Sequence, residues 1–123
     1  MIALGATSLI SCALIFLAGY MKKLGSLVLG TFPGRILNTH PALLPKFGGR
    51  EMYGDRVFEA VLEAAEPESG VSIHLADHEY DTGSIVRQCR VPVLSNDSVA
   101  DLKARVRARE KEFVVETLTS STW

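Results

Sequence analysis

The first 21 residues of this 123-residue chain contain no Asp, Glu, Lys or Arg, and Lys22-Lys23 follow at once. An uncharged stretch of that length has two outlets. It can cross a bilayer as a helix, which needs about 20 apolar residues, or it can lie inside a sheet. The interruptions decide. Gly5, Thr7, Ser8, Ser11 and Gly19 break the run, no Lys or Arg precedes it, and no clear small-x-small cleavage site marks a secretory signal. What remains is Ala13-Leu14-Ile15-Phe16-Leu17-Ala18 followed by Gly19-Tyr20, the apolar block of a strand covered on both faces. Residues 1–12 admit either a short helix packed on the sheet or a start segment without settled structure.

Downstream, the stretch 21–34 is punctuated by Gly25, Gly30, Pro33 and Gly34 and reads as a loop with at most a turn or two of helix. Arg35-Ile36-Leu37-Asn38 is a short strand running into His40-Pro41. Pro41 and Pro45 bracket a stiff loop, because each proline fixes its own φ and restricts the residue before it. Val57, Phe58, Val61, Leu62 and Ala65 mark one face of a helix that Glu66-Pro67-Glu68-Ser69-Gly70 ends. Val71, Ile73 and Leu75 alternate with Ser72 and His74, the period of a strand. A second strand follows over 85–93, with Ile85, Cys89, Val91 and Val93 on one face. Asn96-Asp97-Ser98 is a helix N-cap signal, and Val99, Leu102, Val106, Phe113 and Leu118 supply the stripe of a long amphipathic helix. Residues 119–123 read as a frayed tail. The two early strands have parallel character, whereas the pair at 71–76 and 85–93 is joined by too few residues for a parallel crossover and is expected to be antiparallel. The chain is one α/β domain.

Composition removes several function classes. Lys+Arg total 13 and Asp+Glu total 14, so there is no basic excess to hold a phosphate backbone and no nucleic-acid partner is expected. Cys12 and Cys89 are too few for a disulfide framework; each reads as a small buried hydrophobe in a reducing compartment, the cytoplasm. No Cys/His set has zinc spacing, no Gly-rich phosphate loop is present, and covalent catalysis finds no obvious nucleophile. His74 and His78 stand four apart, but in a strand and loop, where side chains at that spacing do not converge.

Two loops carry the remaining chemistry. Asn38-Thr39-His40-Pro41-Ala42-Leu43-Leu44-Pro45 leaves the carboxyl end of a strand, the end at which open α/β sheets bind ligands. Asn38 offers a carboxamide and His40 an imidazole that titrates near neutrality, both beside a proline-stiffened segment. Asp77-His78-Glu79-Tyr80-Asp81-Thr82-Gly83 packs three carboxylates and a histidine into seven residues. On the residues alone, each loop reads either as turn polarity or as half of a site in which a carboxylate faces His40 and raises its pKa.

Together the two loops resemble the formyltransferase family that takes its formyl group from 10-formyltetrahydrofolate. Leu17-Ala18-Gly19-Tyr20-Met21 resembles the family's strand and cofactor-binding turn. Asn38 to Pro45 resembles its Asn-x-His-Pro-Ser-Leu-Leu-Pro motif with Ala42 at the serine position. Gly70-Val71-Ser72-Ile73-His74 followed by Tyr80-Asp81-Thr82-Gly83 resembles its second signature, and Gly48-Gly49 with Met52-Tyr53-Gly54 resembles the branch acting on 5'-phosphoribosylglycinamide in purine synthesis. The resemblance covers roughly residues 13–118 and implies the C-terminal portion of a Rossmann-like fold, a mostly parallel sheet flanked by helices.

It also implies roles. Protonated His40 stabilises the oxyanion of a tetrahedral intermediate and donates a proton, Asn38 hydrogen-bonds the formyl oxygen, and Asp81 raises the pKa of His40 and helps move a proton from the attacking amine. Met21, Lys22, Lys23 and Leu24, with Asn38, border the folate; Gly49 and Tyr53 border the second substrate. The implied partners are small molecules, with no metal and no membrane. Family members begin with a strand, a Gly-Ser-rich turn and a helix N-terminus that hold a substrate phosphate, and this sequence starts after that part. The expectation is therefore a poorly stable, weakly active or inactive chain, with residues 1–12 an atypical start, and either a homo-oligomer or an N-terminal half supplied in trans. Two other readings stay open: a non-catalytic folate-binding fragment, and a formyltetrahydrofolate deformylase.

Overall fold

The computed structural model describes residues 2–4, 14–17, 36–76 and 83–120. Five strands form one sheet in the order β1 (Ile2–Leu4), β2 (Leu14–Leu17), β3 (Ile36–His40), β4 (Glu68–Leu75) and β5 (Ile85–Pro92). Two helices, α1 (Arg56–Glu63) and α2 (Val99–Thr119), complete the described elements. The apolar block at 14–17 is a strand hydrogen-bonded on both sides, antiparallel to β1 and parallel to β3. Residues 2–4 are strand and not helix, which resolves that part of the start segment.

The expected α/β architecture is present, but the mostly parallel sheet is not. Among the described residues only β2 and β3 run parallel, while β1–β2, β3–β4 and β4–β5 are antiparallel. The chain explains this locally. After β3 it doubles back across the same end of the sheet, where Ser72 and Gln88 bind its loop, and it re-enters as β4. The connection from β4 to β5 is then too short for a crossover.

Strand β4 begins at Glu68, earlier than the Pro-Glu-Ser-Gly sequence suggests, and both of its faces are buried from Ser69 to His74. Gly70 lets this happen. A Cβ there would collide with the Cys89 carbonyl and stand 2.6 Å from Leu43 Cδ2. A register shift between Ile73 and His74 alters the expected face of β5. An irregularity of this kind flips the side chains beyond it, so Val86 packs against the core and Ile85 is 44% exposed.

Leu37, Val71, Ile73 and Val91 meet Val57, Phe58 and Val61 of α1 and Leu102, Val106 and Phe113 of α2 in one core. Helix α1 ends in a paired-carbonyl cap, with Ala65 N–H on Leu62 O (3.0 Å) and Glu66 N–H on Val61 O (3.4 Å). This puts Ala65 at φ +53° and turns it to solvent, off the apolar stripe. Helix α2 starts with a capping box, Ser98 Oγ accepting from Asp101 N–H and Asp101 Oδ2 from Ser98 N–H, each at 3.1 Å. Its fully buried C-terminal contact is Thr117; Leu118 is only partly buried. The helix continues through Thr119.

Candidate active site

Residues two apart on a strand share a face, and so do directly opposed residues on antiparallel neighbours. Asn38 opposes His74 and His40 opposes Ser72. Those four polar side chains therefore form one patch at the carboxyl end of β3, on the face opposite α1 and α2. Gln88, opposite Ser72 on β5, extends it. Asn38 is 8% exposed and His40 4%. Leu37 and Ile73, one residue out of phase, take the helix-covered side. The alternation that marked β4 as a strand thus separates core from site.

Each polar group has a defined orientation. Asn38 Oδ1 accepts from Thr39 N–H at 2.9 Å, which turns the carboxamide nitrogen the other way. His40 Nε2 lies 2.5 Å from the Phe47 carbonyl oxygen; a carbonyl only accepts, so Nε2 carries the hydrogen. Phe47 reaches this position at φ +57°, an uncommon conformation for a bulky residue. His74 Nδ1 is 3.1 Å from Leu75 O.

The loop after His40 contains Pro41 and Pro45, and Leu44–Pro45 is cis. It is also tied to the sheet. The fully buried Ser72 hydroxyl donates to Ala42 O (2.7 Å) and accepts from Leu44 N–H (3.0 Å). Gln88 Nε2 donates to Leu44 O and to Ser72 Oγ, both at 2.9 Å. In the sequence Ser72 stands out only as part of a signature and of a strand's polar phase, and nothing marks Gln88 or the Phe47 carbonyl. The strand alternation placed Ser72 toward the loop, but a backbone carbonyl leaves no mark in a sequence.

Gly49 and Tyr53 lie on the segment leading to α1, Gly49 at φ +106° with its carbonyl accepting from Met52 N–H (3.1 Å) and Tyr53 54% exposed. Asp81, Met21, Lys22, Lys23 and Leu24 lie outside the described residues, as do Cys12, His78 and the tail beyond Ser120. Cys89 packs half-buried beside the core, and burial pushes its thiol above its usual range although Arg109 pulls the other way. It stays protonated, in keeping with a packing role.

A family model described as formyl transferase matches residues 5–118. The chain belongs to the formyl transferase family. A chloroplastic phosphoribosylglycinamide formyltransferase of Arabidopsis thaliana is 46% identical over 104 residues, covering 85% of this chain and 36% of the relative. The phosphoribosylglycinamide formyltransferase of Haemophilus influenzae is 42% identical over 100 residues, covering 81% of this chain and 45% of its own length. Among solved formyl transferases, the phosphoribosylglycinamide formyltransferase of Streptococcus pneumoniae superposes with a TM-score of 0.73 at 38% identity, covering 89% of this chain and 59% of that one. The chain thus spans less than half the length of the curated relatives named. No helix among the described residues is long and apolar enough to cross a membrane.

Proposed function

We propose that this chain carries the formyl-transfer centre of an enzyme that moves a formyl group from 10-formyltetrahydrofolate to the amine of 5'-phosphoribosylglycinamide, a cytoplasmic reaction of small molecules in purine synthesis. The observation that carries the reading is the placement of Asn38 and His40, both buried, two residues apart on one face at the carboxyl end of β3. The names of the relatives support formyl transfer to phosphoribosylglycinamide.

The chemistry follows from orientation. The substrate amine adds to the formyl carbon, and negative charge develops on the formyl oxygen. With Asn38 Oδ1 held by Thr39 N–H, the carboxamide presents its N–H side to that oxygen, a preorganised donor of the kind that stabilises an oxyanion. Protonated His40 adds positive charge and supplies the proton that the departing folate nitrogen takes up. In this reading Asp81 favours that protonated form and helps relay the attacking amine's proton. Met21, Lys22, Lys23 and Leu24 border the folate, and Gly49 and Tyr53 the glycinamide.

The test is formyl transfer by the purified chain, followed by the appearance of tetrahydrofolate in the presence of phosphoribosylglycinamide. The expected result is a slow reaction that His40→Ala lowers by roughly 10²–10⁴-fold and Asn38→Ala by about 10²–10³-fold. Turnover indifferent to both substitutions contradicts the assignment.

A further inference from the structure

The geometry points to Gln88, acting with Ser72, as a clamp that positions His40 for the reaction proposed above; the inference rests on that reading for its purpose but not for its geometry. From Leu43 to Phe47 the loop borders a cavity of about 300 Å³, which Gln88 also lines. Packing therefore leaves one side of the loop open, and hydrogen bonds must set its position there.

Those bonds converge on two side chains. Ser72, opposite His40 in the register, holds the carbonyl of Ala42 and the N–H of Leu44. Gln88 reaches across from β5 to hold the Leu44 carbonyl and the Ser72 hydroxyl together. The clamped Leu44 leads through Pro45 and Lys46 to Phe47, whose carbonyl receives the His40 Nε2 hydrogen. The clamp thus fixes both ends of the imidazole's setting, its own strand and the carbonyl that selects its tautomer. The amide of Gln88 matches the task, because its nitrogen supplies two hydrogens to two oxygens at once. Leucine has the bulk but no donor, and an ionised glutamate has the shape but only acceptors.

The experiment is imidazole nitrogen NMR on the full chain above the histidine titration, with formyl transfer measured in parallel. Wild type is expected to show His40 as the Nε2–H tautomer. Gln88→Leu and Gln88→Glu, at an exposed position, should retain the fold while His40 becomes a tautomer mixture. Where transfer is measurable, kcat should fall by about tenfold or more with KM for the folate nearly unchanged, since misplacement by an ångström can cost 10²-fold. Ser72→Ala should act the same way and Ser72→Thr, which keeps the hydroxyl, should restore the wild-type spectrum. Folded Gln88 variants with an unchanged His40 tautomer overturn the clamp. The spectrum answers this whether or not the chain turns over, so failure of the clamp and failure of the transferase reading are observed separately.

Discussion

At position 65 the chain places an alanine where the backbone favours glycine. Ala65 sits at φ +53° because the closing bonds of α1 demand a left-handed residue there. Relief of that strain, less the extra freedom glycine brings to the unfolded chain, should make Ala65→Gly stabilising by about 0.5–1 kcal/mol. A urea midpoint that rises with unchanged slope is the expected result, and an unchanged or lowered midpoint contradicts the cap geometry. This residue also shows where sequence reading stops. The apolar spacing assigned Ala65 to the buried stripe because nothing in an alanine announces a positive φ. Asn38 and His40 on their own residues read either as turn polarity or as half of a site, and the family resemblance singled them out; the structure adds that both are buried on one face of β3. Their orientation was not legible, since it depends on a neighbouring N–H and on the Phe47 carbonyl.

Elements were legible where side-chain period and caps agree. The N-cap of α2 at Ser98 and the alternation of β4 appeared at their expected places. The start of β4 and the facing of Ile85 did not, because contacts between strands decide both. Gly70 is the sharpest case. With the Cys89 carbonyl and Leu43 occupying the space of a side chain, Gly70→Ala should cost about 2–3 kcal/mol, read as a lowered denaturation midpoint; a loss below half a kcal/mol would mean that β4 and β5 can separate easily. The link from β5 to α2 depends on Asp97 and Arg105, paired at 2.6 and 2.7 Å, with Arg105 also donating to Pro92 O and Asp97 accepting from Leu94 N–H. The Arg105 hydrogen bonds hold the Asp97 carboxyl down from 3.8 to about 2. A value lowered by folding contributes stability that is complete above pH 3.8 and lost as pH falls through about 2. The midpoint difference between wild type and Asp97→Asn should therefore shrink from about pH 5 toward pH 2. An equal difference at both ends contradicts the pairing.

Across the whole molecule, one sheet is given two different faces. The helix-covered face carries Leu37, Val71, Ile73 and Val91, with the small hydroxyl residues Thr39 and Ser69 on the same strand phases, and the opposite face holds Asn38, His40, Ser72 and His74. Strand phase thus gathers the large apolar side chains on one face and the carboxamide, the two imidazoles and the Ser72 hydroxyl on the other. The parallel character of β2 and β3 and the antiparallel β4–β5 pair, whose link is too short for a crossover, were legible in the sequence; the antiparallel return from β3 to β4 was not. The family resemblance implied a mostly parallel sheet, and the described strands form one parallel pair and three antiparallel pairs. The phase of each strand is local, whereas direction depends on how a long connection returns. The central claim is that a formyl donor meets the chain at the carboxyl end of β3. Titration of the full chain with 10-formyltetrahydrofolate, followed by the side-chain nitrogen resonances of Asn38 and His40, tests it most directly. Saturable shifts of both resonances are predicted, while saturable binding that moves neither, or no binding, contradicts the account.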